Sequence, residues 1–200
     1  WDDAHFESCG QQWMLLAEPR YAVALVNQSS YGHDVSPAGG DEHTPTMGVM
    51  ARLTLLRSPQ SPDPHPDQGC HHLVYSLLTD ARVESAHVEA ARLNQPLQVR
   101  SGTVELPSTA RIEPVHGTAV IDAVKQAFDG SGDLVIRIHE AEGARSRVRL
   151  LLDRDGCVSE VDLLEDPIDE PTQQLPASTC SRVELTLRPF QILTLRVSQR

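Results

Sequence analysis

Aromatic residues are scarce in this chain, 4% of its 200 residues. Flat rings are what sugar-binding platforms are built from, so little material is available for one. Trp13, Tyr21 and Tyr31 are the candidates, and the reading favoured for half-buried strand aromatics is core. Positive charge is also in short supply: 17 Lys and Arg stand against 28 Asp and Glu, a formal net charge of −11. Nucleic acid and anionic membrane reward clustered cations and are excluded as partners, whereas a neutral sugar is compatible. No run approaches the roughly 18 apolar residues of a membrane span. The chain opens at Trp1 with no basic and apolar leader, which predicts a fragment or a processed product. Cys9, Cys70, Cys157 and Cys180 are widely spaced, and a chain of this length does not need disulfide staples. They are expected as free thiols in a reducing, cytoplasmic compartment. The sequon Asn27-Gln28-Ser29 is read as chance.

Proline, by contrast, is concentrated. Between the apolar runs 51–56 and 73–78 lies a connection carrying Pro59, Pro62, Pro64 and Pro66. Proline fixes its own φ and biases the residue before it towards extended backbone, so this connection is predicted as a stiff, extended loop. Such a loop is suited to presenting Arg57, Asp63, His65, Asp67 and Gln68. Upstream, 13–16 and 21–26 read as strands around the turn Glu18-Pro19-Arg20, and 31–35 as a third strand. Residues 36–47 are polar and expected as a mobile surface loop. Residues 80–94 have helical spacing, with Asp80 or Ser85 as cap and Pro96 as stop. A domain boundary is placed near 102–114, giving parts 1–105 and 106–200.

The last third alternates with period two. Leu134, Ile136 and Ile138, then Val148, Leu150 and Leu152, then Val183, Leu185 and Leu187 face one way, with mostly polar residues between them. One polar face means half-exposed antiparallel strands. Asp129-Gly130, Glu142-Gly143 and Asp155-Gly156 read as turns between them, and Pro189 splits the final apolar tract. Residues 120–128 fit a strand or an amphipathic helix equally by spacing. The fold class is therefore all-β, an antiparallel sandwich followed by a smaller one.

Candidate chemistry centres on the proline-rich loop. Glycosidases use two carboxyl groups about 5–5.5 Å or 6.5–9.5 Å apart. Asp63 and Asp67, four residues apart in an extended segment, would sit about 12 Å apart and make a poor dyad. Asp63, His65, Asp67, Cys70, His71 and His72 lack the paired spacing of zinc ligands, so no metal is assigned to them. Arg57 reads in three ways: a donor to sugar hydroxyls, a brace for Asp63 and Asp67, or a plain strand-end arginine.

The run LLRSP, then PDPHPDQG, then HHLVYSLL resembles the signature hairpin in the C-terminal β-region of family 38 glycoside hydrolases, the α-mannosidases of cytosolic and bacterial type. FESCGQQWMLLAEPRYAVALVNQSSYGHDV at 6–35, VDLLEDP and LRPFQILTLRV extend the resemblance over most of the chain. The family's His-Arg pair before Trp13 is replaced by Gln11-Gln12, and 36–48 looks inserted. The resemblance implies that 1–105 closes a large galactose-mutarotase-like sandwich and that 120–128 is a strand. It also implies a non-catalytic region that partners an N-terminal catalytic domain holding zinc, with no cofactor here. Arg57, Asp63, Asp67 and Gln68 would then be candidates for contact with a mannose-containing glycan. Two rival readings are a stand-alone carbohydrate-binding module and a structural interaction domain without sugar contact. Strand edges left unpaired by a missing neighbour predict that the chain pairs with another copy of itself, as a homo-oligomer, or shows its N-terminal sheet as less ordered than 117–200.

Overall fold

Among residues 7–38, 48–97, 99, 101–102 and 109–198, which a computed structural model describes, the chain forms twelve strands and one helix. It divides into two units, 1–99 and 100–200. In the first unit β1 (Ser8–Cys9), β4 (Gly32–Pro37) and β5 (Val49–Leu53) form one antiparallel sheet in the order β1-β4-β5. The second sheet is β2-β3-β6, from β2 (Trp13–Glu18), β3 (Tyr21–Asn27) and β6 (Tyr75–Thr79). Glu18 pairs with Tyr21, so Pro19 and Arg20 make the tight turn that the sequence predicts.

The two strands that flank the proline-rich connection are not a hairpin. β5 pairs with β4 and β6 with β3, so residues 54–74 carry the chain from one sheet to the other. β5 has a partner nearer in sequence in β4, whereas β6 reaches back about fifty residues to join β3, so pairing here is not set by sequence proximity.

Helix α1 (Val83–Asn94) covers one face of β2-β3-β6. Ala86 and Ala90 are fully buried against Ala24 and Val26, with Trp13, Leu15, Leu78 and Leu93 around them. Small residues in helix and sheet let the two backbones approach closely. The cap is not Asp80, which has a left-handed φ of 51°. Arg82 takes the N-cap position, and Ser85 Oγ accepts its N–H at 2.8 Å and donates to its carbonyl at 3.0 Å. A serine three residues into the helix thus supplies the satisfaction usually given by the cap residue itself. The helix stops at Asn94, two residues before Pro96.

In the second unit β7 (Ala110–His116), β8 (Ala119–Gln126), β9 (Leu134–Glu140), β10 (Ser146–Val161), β11 (Cys180–Leu187) and β12 (Ile192–Ser198) run in the order β11-β10-β12-β9-β8, with β7 also on β10. Strand rather than helix covers 120–126 of the stretch 120–128, as the resemblance implied. The predicted turn at Asp155-Gly156 is absent: β10 continues through it, with a register shift between Leu151 and Gly156. Its first half pairs with β7 and β11, its second half with β12. A bulge that lets one strand serve two sheets forms the corner of the sandwich. Gly156 is required there because an added Cβ would stand 2.3 Å from Val197 Cγ1. The core includes Ile136, Ile138, Val148, Leu150, Leu152, Val183, Leu185 and Leu187, from the inward set of the period-two pattern, together with Val158, Leu193, Leu195 and Val197. Pro189 separates β11 from β12, as predicted.

Strand β4 extends through Ser36 and Pro37, so the polar segment begins later than expected; the rest of that predicted loop, 39–47, lies outside the described residues. Of the predicted boundary region 102–114, residues 103–108 lie outside the described residues too, and 110–114 belong to β7.

Candidate functional site

Strand β5 ends at Leu53, and one further backbone bond, Thr54 N–H to the Gly32 carbonyl at 2.9 Å, holds the chain on β4 before it departs. Three residues on, the Arg57 side chain is 73% exposed, but Nη2 donates to Glu7 Oε2 at 2.5 Å. The other oxygen of the same carboxylate, Oε1, accepts from Thr54 Oγ1 at 2.5 Å. Glu7 itself is only 19% exposed at the side chain. It fits because Gly32 has no side chain: a Cβ there would come within 1.7 Å of Glu7 Oε1. These groups border a cleft of about 620 Å³ with Ser30, Tyr31 and Leu56.

The connection beyond Arg57 is not uniformly extended. An extended segment from Ser58 to Asp67 would span roughly 28 Å. Instead, Ser58 N–H donates to Asp67 Oδ2 at 3.0 Å, and both residues have positive φ, 44° and 55°. Asp63 Oδ1 accepts the N–H of His65 at 2.8 Å, an Asx turn that proline-rich sequence does not forbid. His71 Nε2 donates to the Asp67 carbonyl at 2.8 Å and ties the loop's exit to its tip. Asp63 and Asp67 therefore organise the loop.

The predicted site residues separate accordingly. Arg57 lines the cleft, while Asp63, Asp67 and Gln68 are exposed on the loop outside its lining. The reading of Arg57 as a brace for Asp63 and Asp67 is corrected, because the carboxylate it engages is Glu7. Trp13 is core, edge-on to His87 with ring centroids 5.0 Å apart. Tyr21 and Tyr31 are 48% and 51% exposed, contrary to the core expectation, and Tyr31 reaches the cleft. Sequence reasoning missed Glu7, Thr54 and Gly32. Glu7 is fifty residues from Arg57, and no local pattern links them.

A larger cleft, about 890 Å³, lies in the second unit between the end of β10 and residues 165–177. Its charges are engaged internally. Arg196 donates to Asp129 and Asp133 at 2.7 Å each, and Glu160 accepts from Thr172 and Gln173. The Ser131 N–H and hydroxyl, followed by Arg196, hold the Asp129 carboxyl down at about 2. Among the described residues no three His, Cys, Asp or Glu side chains converge as metal ligands. All four cysteines are free. Asn27 is buried and its Nδ2 donates to the Ser30 carbonyl, so the sequon is inaccessible in the folded chain.

Residues 1–65 match the C-terminal domain of glycosyl hydrolases family 38, and residues 118–195 match that family's C-terminal beta sandwich domain. The chain belongs to family 38 of the glycosyl hydrolases. Alpha-mannosidase 2C1 of Homo sapiens is 34% identical over 98% of this chain and 18% of its own length. Alpha-mannosidase G of Dictyostelium discoideum is 32% identical over 72% of the chain and 13% of its own. An alpha-mannosidase of Saccharomyces cerevisiae is 26% identical over 98% and 19%. The chain thus spans less than a fifth of the length of these family 38 relatives, and within the family it corresponds to the C-terminal β-region.

Proposed function

We propose that this chain is the non-catalytic C-terminal region of a cytoplasmic α-mannosidase acting on terminal α-mannosides, and that it lends Arg57 to the substrate cleft. The observation that carries the reading is the guanidinium at the rim of the cleft. Among the described residues it has one hydrogen-bonding partner, Glu7, and the rest of its donor fork faces solvent. A planar fork with free N–H groups is suited to sugar hydroxyls. The carboxylates nearest in sequence, Asp63 and Asp67, accept from backbone N–H groups of their own loop and are not disposed as an acid–base pair. The described residues do not fit a zinc site, and the zinc implied by the family is assigned to the catalytic part preceding this region. That part is the proposed partner, with a mannose-containing glycan as substrate.

Two measurements test the reading. The isolated chain, incubated with 4-nitrophenyl α-mannoside with and without added zinc, is expected to show no turnover above a denatured control. Zinc-dependent turnover would place catalysis within these residues. In the longer protein, Arg57→Ala is expected to lower kcat/KM by roughly ten- to a hundred-fold, the value of a charge-assisted hydrogen bond of about 1.5–3 kcal/mol. An unchanged rate would leave Arg57 a surface residue.

A further inference from the structure

The cleft contains a device that no local sequence pattern announces. Arginine side chains on a surface sample many rotamers, and immobilising one costs side-chain entropy. Arg57, largely exposed and four residues past the end of β5, has every reason to be mobile. Yet one of its two terminal nitrogens is clamped by a carboxylate whose own position is fixed from two other sides. Thr54 Oγ1 holds the second oxygen of Glu7. Gly32, opposite Cys9 in the β1-β4 ladder, leaves the space the carboxylate occupies. Thr54 in turn is held to Gly32 by its backbone N–H. Glycine, threonine and glutamate thus form a rigid seat on β4 and the end of β5, and what sits in it is Arg57.

We propose that Glu7 is a positioning residue that presets the guanidinium of Arg57 for substrate. The proposal rests on the reading of the cleft given above. The ion pair does two things for binding. It commits one face of the fork to the protein and leaves the remaining N–H groups directed away from Glu7. It also neutralises the guanidinium, so the pair offers hydrogen bonds without net charge, which matches the hydroxyls of an uncharged sugar.

The test is a double-mutant cycle in the longer protein, with 4-nitrophenyl α-mannoside as the probe. Glu7→Gln is the informative single variant. Its amide oxygen still accepts from Thr54 and fills the same volume, while its NH₂ group meets the Arg57 donors and cannot hold them. Glu7→Gln is expected to lower kcat/KM by roughly five- to fifty-fold, no more than Arg57→Ala does, at an unchanged melting temperature. Combined with Arg57→Ala it should add less than about two-fold, because nothing is left to position. A structural role for Glu7 would persist undiminished in the Arg57→Ala background, and the two losses would multiply. Thr54→Val, which removes one anchor of the carboxylate without touching Arg57, should give a smaller loss of the same kind and the same non-additivity. Wild-type turnover in Glu7→Gln, or multiplying losses in the double variant, would overturn the positioning role while leaving Arg57 in the cleft. Full turnover in Arg57→Ala would overturn both.

Discussion

Replacing Glu140 by leucine is expected to lower the stability of the second unit by about 3–5 kcal/mol, a loss beyond that of most single substitutions. Glu140 is the last residue of β9 and is completely buried. Its carboxylate accepts the N–H groups of Glu142 and Gly143, each at 2.9 Å, which shape the turn into β10. It also accepts the Phe190 N–H at 2.9 Å, from the turn between β11 and β12, and Ser146 Oγ at 3.1 Å. One side chain therefore fastens two turns at the same end of the sandwich. Burial alone would push the carboxyl up, but the N–H groups of Phe190, Glu142 and Ala144 with the Ser146 hydroxyl hold it below the ordinary glutamate range. Leucine fills a similar volume and leaves those donors without an acceptor, and each such group costs about 1–3 kcal/mol. Glutamine keeps one oxygen and should lose less.

The sign of the pH dependence follows from the lowered pKa. The stabilisation is fully present above the unfolded-state value of about 4.3 and is lost as pH falls through the lower folded-state value. Glu140→Gln should flatten that part of the acid limb. Neither tryptophan belongs to the second unit, so fluorescence is not a direct probe of this event. Hydrogen exchange over 134–140 and 192–198 is the suitable probe. Leucine and wild type agreeing within about 1 kcal/mol would mean that water satisfies the freed N–H groups.

Much of this architecture was legible because burial writes itself into spacing. The sets Ile136–Ile138, Val148–Leu152 and Val183–Leu187 alternate in sequence because each strand has one wet face, and these are the residues found in the core. Pairing was less legible. The runs on either side of the proline-rich connection look like a hairpin because each is apolar, but apolar spacing specifies a face and is silent about which neighbour supplies the ladder. Asp155-Gly156 has the composition of a turn and lies within a strand, since a bulge also recruits glycine. The loop's aspartates look like presented ligands and are loop organisers, because a short carboxylate two residues before a free N–H closes on it. The clamp on Arg57 depends on contacts across fifty residues, which composition and spacing do not encode.

The isolated chain is expected to associate, or to fray, at the β2-β3-β6 sheet, and to stop doing so when Leu77 is replaced by lysine. Helix α1 covers one face of this sheet. The opposite face, read from the cross-strand register, carries Met14, Leu16, Tyr21, Val23, Leu25, Tyr75 and Leu77. Tyr75 and Leu77 are 59% and 67% exposed. Period-two alternation in a sheet with one wet face would put polar residues at these positions. Here both faces are apolar, the pattern of a sheet covered on both sides, and β2 and β6 stand as its outer strands. Burying a large apolar side chain is worth about 1.5–3 kcal/mol, so leaving several in water favours any partner that covers them. Light scattering on the isolated chain should therefore report self-association, or hydrogen exchange should find 13–27 and 75–79 less protected than the core strands of the second unit. Leu77→Lys should return the isolated chain to a monomer with little loss of its own stability. In the longer protein the same substitution should cost about 2–3 kcal/mol, because a charge would then sit where the face is covered. A monomeric isolated chain with equal protection in both units, together with a harmless Leu77→Lys in the longer protein, would show that this face is meant for water.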